Sequence, residues 1–194
     1  MKIIGITGSS GSGKSTVSKI IANELDADLI VADNVVKQLH EPGEAYFNEI
    51  VSVVGKEYLN KEGKIERRKL ANLIYNNEEI RNKINELTNT YVVEEIKKQI
   101  NNSNKKYVVM DVPLLIESKL KDICDFTIGV VADYNLQIQR ICVRDILTKE
   151  EAIARLKIQP ENDFYKNNVD FIVENNGGEY DKLLGRIGAI LQEL

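Results

Sequence analysis

Apolar residues in this chain fall into short runs, separated by longer stretches in which they recur every three or four positions. Lys2-Ile3-Ile4-Gly5-Ile6-Thr7 is the first run and reads as a buried strand. Val17, Ile20, Ile21 and Leu25 then mark one face of a helix. Asp28 to Ala32 is a second strand, after which Val35, Val36 and Leu39 resume helical spacing until His40-Glu41-Pro42-Gly43 breaks the chain. Further helices are predicted over 44–54, closed by Gly55, over 66–75 and over 78–100, with a polar turn over 60–63. Ile80, Ile84, Leu87, Tyr91, Val92 and Ile96 mark one face of the longest. Tyr107 to Asp111 and Phe126 to Ala132 are strands, and 169–174 is a last one. Two helices are predicted over 135–147 and 148–158, the second opened by Thr148 with Glu151 at capping-box spacing. An amphipathic helix over 180–194 ends the chain.

Strands alternate with helices, and each strand is mostly apolar. That pattern predicts an α/β fold: a parallel five-stranded sheet with helices on both faces. It divides the chain into a core of 1–33, 105–133 and 168–194, a helical insertion over 34–104, and a polar segment over 134–167 that suits a lid. Ligands of such sheets bind beyond the carboxyl ends of the strands, where Thr7, Asp33 and Asp111 fall.

Between the first strand and the first helix stands Gly8-Ser9-Ser10-Gly11-Ser12-Gly13-Lys14-Ser15, followed by Thr16. This is Gly, four residues, Gly-Lys-Ser in the strand–loop–helix setting that a phosphate-binding loop requires. Its glycines let successive N–H groups turn inward, and the helix start adds a positive dipole end. Lys14 is placed to reach the β- and γ-phosphates of a nucleotide, and the Ser15 hydroxyl to bind Mg²⁺.

Two carboxylates are candidates beside the loop. Asp111 ends a strand of apolar and aromatic residues, which suits either a magnesium partner that fixes Ser15 or an ordinary turn cap. Asp33 suits a base that takes the proton of an attacking hydroxyl, a metal ligand, or a helix N-cap. Arg140, Arg144 and Arg155 offer positive charge; Arg140 and Arg144, four apart, share a helix face, and a solvated face pairing with Asp145 or Glu151 is the alternative. The only histidine, His40, has no metal partners at ligand spacing.

Composition narrows the class. The 194 residues carry a net charge of −4, against a general nucleic-acid binder. No apolar run reaches the roughly 20 residues needed to cross a bilayer. Cys124 and Cys142 have no metal-ligand spacing, and no secretory signal precedes the first strand, so a cytoplasmic protein without a membrane partner is expected, as a monomer or weak homo-oligomer.

With these residues in place, the sequence resembles the dephospho-CoA kinase family over nearly its whole length. The match runs through Gly5-Ile6-Thr7-Gly8, Gly11 to Thr16, Ala32-Asp33, Pro42-Gly43, Gly55 with Leu59, and Arg67 with Leu70. Asp111-Val112-Pro113-Leu114-Leu115-Ile116-Glu117 is its most specific piece, and Gln139-Arg140, Arg144, Gln159 and Asn175-Asn176-Gly177 complete it. The resemblance implies a phosphate-loop kinase architecture like that of nucleoside monophosphate kinases. It also implies ATP and Mg²⁺ as donor and cofactor, and transfer of the γ-phosphate to the ribose 3′-hydroxyl of dephospho-CoA, the last step of coenzyme A synthesis. It makes Asp33 the base, Arg140 a lid arginine facing the phosphates with Arg144 as companion, and Asn175 and Gly177 neighbours of the adenine. It makes 34–104 the acceptor-binding domain, with Arg67, Pro113 and Leu114 expected at the acceptor.

Three positions depart from the family pattern: Gly8-Ser9-Ser10-Gly11 replaces Gly-Gly-Ile-Gly and looks more like uridine kinases, Val31-Ala32-Asp33 replaces Asp-Ala-Asp, and Asn89-Thr90 replaces His-Pro. A kinase of another hydroxyl acceptor, such as a nucleoside, is therefore the nearest alternative. A nucleotide-binding switch is the more distant one; Asn104-Lys105-Lys106-Tyr107 lacks the Asp of a GTPase base-reading motif.

Overall fold

The computed structural model describes residues 1–178 and 180–193, apart from the side chains of Arg67, Ala71 and Tyr75. Two compact units emerge, one of Met1–Val31 with Ser103–Leu194 and one of Ala32–Asn102.

The first unit is built on strands β1 (Lys2–Thr7), β2 (Asp28–Val31), β3 (Tyr107–Asp111), β4 (Phe126–Val131) and β5 (Phe171–Glu174). They form one sheet in the order β2-β3-β1-β4-β5, and every pairing is parallel. Hydrophobic burial explains why these runs became strands: Ile4, Ile6, Val109, Ile128, Val130 and Val173 are buried in one cluster. Helices α1 (Lys14–Glu24) and, near the C-terminus, Tyr180–Leu191 contribute Val17, Ile20, Ile21, Ile187 and Ile190 to that cluster.

Central placement of β1 matters most for function. Its C-terminal end has a strand on each side, in register Ile6↔Asp111 and Thr7↔Gly129. Whatever follows Thr7 therefore emerges in the middle of the sheet's carboxyl edge. Thr7 itself is buried, and its hydroxyl donates to the Pro113 carbonyl at 2.9 Å, fixing the segment after β3 against the strand end.

The second unit holds α2 (Ala32–Leu39), α3 (Ala45–Val54), α4 (Arg67–Asn76) and α5 (Glu78–Asn102). The 25-residue α5 touches each of the other three. Its contacts bury Ile84, Val92, Ile96 and Ile100, close to the face expected from spacing. Tyr46 is buried, and its hydroxyl and that of Thr88 lie 2.7 Å apart. Burial raises the Tyr46 phenol above its ordinary pKa, so it remains a neutral hydrogen-bonding group.

Back in the first unit, α6 (Tyr134–Asp145) and α7 (Lys149–Lys157) pack together over Ile138, Ile141, Ala152 and Leu156. The capping box at Thr148 forms as spaced, with Thr148 accepting from the Glu151 N–H. Several predicted boundaries move by one to three residues, two of them at strand ends that matter for the sheet. The second strand ends at Val31, because Ala32 already opens a helix, and the last strand begins at Phe171 rather than at residue 169. Between α7 and β5 lies a short helix, α8 (Asn162–Asn168), that the polar sequence did not announce. The C-terminal helix is α9 (Tyr180–Leu191).

Candidate active site

The turn from β1 into α1 is wound by three glycines at positive φ: Gly8 at 151°, Gly11 at 76° and Gly13 at 91°. Gly13 is also the N-cap of α1, with no side chain capping the helix and no acidic residue in its first turn. Thr16 and Val17 donate back to the Gly13 carbonyl at 3.0 and 3.1 Å. The earlier amides of this turn have no intrahelical acceptor, as at any helix start, so a positive dipole end is presented to an anion.

The loop is held from behind. Arg140 Nη1, from α6, donates to the Gly11 carbonyl at 3.0 Å and to the Ser12 carbonyl at 3.3 Å. Asn175, just after β5, donates through Nδ2 to the same Ser12 carbonyl at 2.8 Å, and its Oδ1 accepts from Arg140 Nη2 at 3.4 Å. In a trans peptide the C=O and the next N–H point opposite ways. Drawing the Ser12 carbonyl outward thus turns the Gly13 N–H inward. Desolvation in this setting lowers the Arg140 pKa from the ordinary guanidinium value. Removing the Arg140 side chain by Arg140→Ala is expected to weaken binding of a non-hydrolysable ATP analogue about tenfold, and Asn175→Ala about threefold, both read by titration calorimetry.

At the mouth of the loop, the Lys14 ammonium is paired with the Asp111 carboxylate. Asp111 is 1% exposed, and its second oxygen accepts from the Ser18 hydroxyl at 3.1 Å. A buried carboxylate that holds both the loop lysine and α1 explains why strand β3 ends in Asp. The Ser15 and Thr16 hydroxyls are on exposed positions of the first turn. Ser12 Oγ is buried without a hydrogen-bond partner among the described residues. A leftover donor hydroxyl, inward amides and a lysine make a cradle of the right chemistry for phosphate oxygens. One hydroxyl and one carboxylate nearby suit Mg²⁺, which keeps water and phosphate oxygens as its other ligands. Among the described residues no group of three or more His, Cys, Asp or Glu could enclose a metal by protein ligands.

The structure brings Gly8 to Thr16, Asp111, Arg140 and Asn175 together. Arg144 makes the ion pair with Asp145 that the solvated-face alternative expects. Its Nε and Nη2 donate to the two oxygens of Asp145 at 2.8 Å each, and Arg155 reaches the same carboxylate at 2.5 Å. The Arg144 hydrogen bond and both positive charges hold the Asp145 carboxyl below its usual range. Gly177, at φ 79°, takes a backbone turn that an L side chain resists; beside it Asn176 accepts from the Asp133 N–H at 2.8 Å. Of the segment after β3, Pro113 is half-buried and Leu114 is 63% exposed.

In the second unit, Asp33 is the second residue of α2 and is exposed. It lies inside the first turn rather than at the N-cap, which removes capping as its role. Val31, the last residue of β2, pairs in register with Asp111, and Asp33 follows two residues later in the chain. The Arg67 side chain lies outside the described residues.

Two further side chains hold the loop, one absent from the sequence analysis and one named there only within the resemblance, without a role. Gln137, the absent one, donates through Nε2 to Ser9 Oγ at 2.5 Å and to the Ser10 carbonyl at 3.2 Å. Gln159, the one named, bonds Ser10 twice. The signal for Gln137 is its position three residues before Arg140, one turn earlier on the same helix face.

The model of the family described as dephospho-CoA kinase matches residues 2–181. A dephospho-CoA kinase from Fusobacterium nucleatum is 36% identical over 179 residues, 92% of each chain. Among the solved structures that match over the whole of this chain are two with the following likeness. A dephospho-CoA kinase from Campylobacter jejuni is 30% identical at a TM-score of 0.69, with 97% of that chain covered. The protein TT1252 from Thermus thermophilus is 25% identical at a TM-score of 0.82, again over 97% of that chain.

Proposed function

The chain belongs to the dephospho-CoA kinase family, and we propose that it transfers the γ-phosphoryl group of ATP to the ribose 3′-hydroxyl of dephospho-CoA, giving coenzyme A and ADP. The observation that carries this reading is the loop itself: glycine-wound, backed by Arg140 and Asn175, with Lys14 at its mouth.

The triphosphate tail lies against the inward amides of the loop and the start of α1. Lys14 exchanges Asp111 for the β- and γ-phosphate oxygens, so its charge follows the group that moves. Ser15 and, directly or through water, Asp111 hold Mg²⁺, which neutralises phosphate charge when bound. Arg140 keeps the loop carbonyls turned out and adds positive charge behind the phosphates. Asn175 and Gly177 border the adenine. As the bond from γ-phosphorus to the bridging oxygen breaks, the acceptor oxygen bonds to phosphorus. Asp33 takes the hydroxyl proton, and ADP leaves with the bond's electron pair.

Residues 34–104 are the acceptor-binding part, with Arg67, Pro113 and Leu114 at dephospho-CoA. Residues 134–167 cover the nucleotide, and Arg144 leaves Asp145 to join Arg140 when the cover closes. Residues 1–33, 105–133 and 168–194 form the catalytic core. The enzyme acts in the cytoplasm as a monomer or weak homo-oligomer, with no nucleic-acid or membrane partner. Among the described residues no helix is long and apolar enough to cross a membrane.

The deciding experiment supplies ATP, Mg²⁺ and either dephospho-CoA or uridine, and assays the phosphorylated product of each. Coenzyme A from the first, with at most a trace of product from the second, is expected. Uridine as the better acceptor would replace the proposal with a nucleoside kinase.

A further inference from the structure

Resting on the ATP-dependent reading above, we infer that Gln159 is a positioning residue for ATP, acting through Ser10 of the phosphate loop. The Ser10 N–H donates to Gln159 Oε1 at 2.8 Å, and Gln159 Nε2 donates to Ser10 Oγ at 3.0 Å. The third polar group of Ser10, its carbonyl, accepts from Gln137, which is itself buried. Two carboxamides, one from α6 and one from the link between α7 and α8, therefore take every hydrogen-bonding group that Ser10 owns.

The consequence for the anion site follows from peptide geometry. The carbonyl of Ser10 is held toward Gln137, so the Gly11 N–H on the same peptide points the other way. The N–H of Ser10 is held toward Gln159, which fixes the preceding peptide too. With the Gly11 and Ser12 carbonyls already on Arg140 and Asn175, four consecutive peptides, from Ser9–Ser10 to Ser12–Gly13, are set by side chains outside the loop. Gln159 is half-buried, and its neighbour Ile158 is 85% exposed. Losing its carboxamide removes little buried surface, so the effect falls on loop geometry rather than on folding. It also joins the cover to the nucleotide: the α7–α8 link cannot move away while Ser10 stays bonded to it.

The test uses the full chain as wild type, Gln159→Ala, Gln159→Asn, Ser10→Ala and the Gln159→Ala/Ser10→Ala double variant. Titration calorimetry gives the Kd of a non-hydrolysable ATP analogue, calorimetry gives Tm, and steady-state kinetics gives kcat and both KM values. Each single variant is expected to weaken the analogue about three- to tenfold, the size of one or two lost hydrogen bonds. Gln159→Asn should match Gln159→Ala, because the same group one methylene shorter falls out of reach. The double variant should match Gln159→Ala, which already removes the one bond that Ser10→Ala takes away, the bond to Ser10 Oγ, along with the bond from the Ser10 N–H. Tm should stay within about 4 °C, and the KM for dephospho-CoA should hold while that for ATP rises. Unchanged singles, a double variant that sums the two, or an affinity loss matched by a larger fall in Tm would overturn the inference. A wild type that binds no analogue would sink the kinase reading and this one with it; a wild type that binds, with variants that match it, sinks this one alone.

Discussion

Exchanging Asp33 for Asn is expected to lower kcat by about 10²- to 10⁴-fold, the range a positioned general base supplies. Asn keeps the size and polarity of the side chain and cannot accept a proton at neutral pH. Asp33 is exposed and lies outside the loop, and its charge in the first turn of α2 adds no more than about 1 kcal/mol through the helix dipole, so Tm should fall only slightly and the phosphate cradle should stay intact. The Kd for ATP should therefore remain within about twofold of wild type. Steady-state assay of coenzyme A formation beside calorimetric titration of ATP separates the two quantities. A variant that turns over within about tenfold of wild type would remove Asp33 from the chemistry.

Gly11→Ala should abolish measurable ATP binding, a loss of about 100-fold or more. Two effects combine here. The backbone at Gly11 has φ 76°, where an L residue pays about 1–2 kcal/mol. A Cβ would also lie 2.6 Å from the Gln137 carbonyl oxygen and 2.9 Å from the Gln137 Cα. Both atoms are backbone of α6, so relief requires the helix to shift and to carry Gln137 and Arg140 off the loop. Gly63→Ala is the matched control. Its φ is 75°, yet nothing lies within 4 Å of the added carbon. It should lose only the backbone strain of about 1–2 kcal/mol, with ATP binding unchanged. If both variants bound ATP equally well, the close seat of α6 on the loop would have no functional weight.

How far the chain could be read in advance followed from the range over which each signal acts. The strands, the loop and the helix after it were legible because their cues are neighbours in sequence: an apolar run, three glycines, Lys14, then spacing at three and four. Asp111 was placed at a strand end by the same logic, and the structure puts it on Lys14 and Ser18. Arg144 was read with Arg140 because the two are four residues apart. Asp145, whose carboxylate Arg155 shares, gives its guanidinium the ion pair of the solvated-face alternative, and helical spacing alone cannot rank the two. Helix α8 was not legible because Asn162-Asp163-Phe164-Tyr165-Lys166-Asn167-Asn168 has weak helix formers and buries only Tyr165. The roles of Gln137 and Gln159 were not legible for a different reason: a polar side chain that binds a backbone group more than 120 residues away leaves no periodic trace.

That separation has a consequence for how the protein comes into being. The phosphate loop is complete as sequence once the first sixteen residues are made, but its peptides are oriented by groups 127 to 163 positions later. A nascent chain emerging from the ribosome would carry the nucleotide motif long before it could hold a nucleotide. Competence would arrive late and abruptly, when the stretch through Asn175 has been synthesised and docked. Fragments ending before that point should neither be retained on immobilised ATP nor be rescued from proteolysis by it.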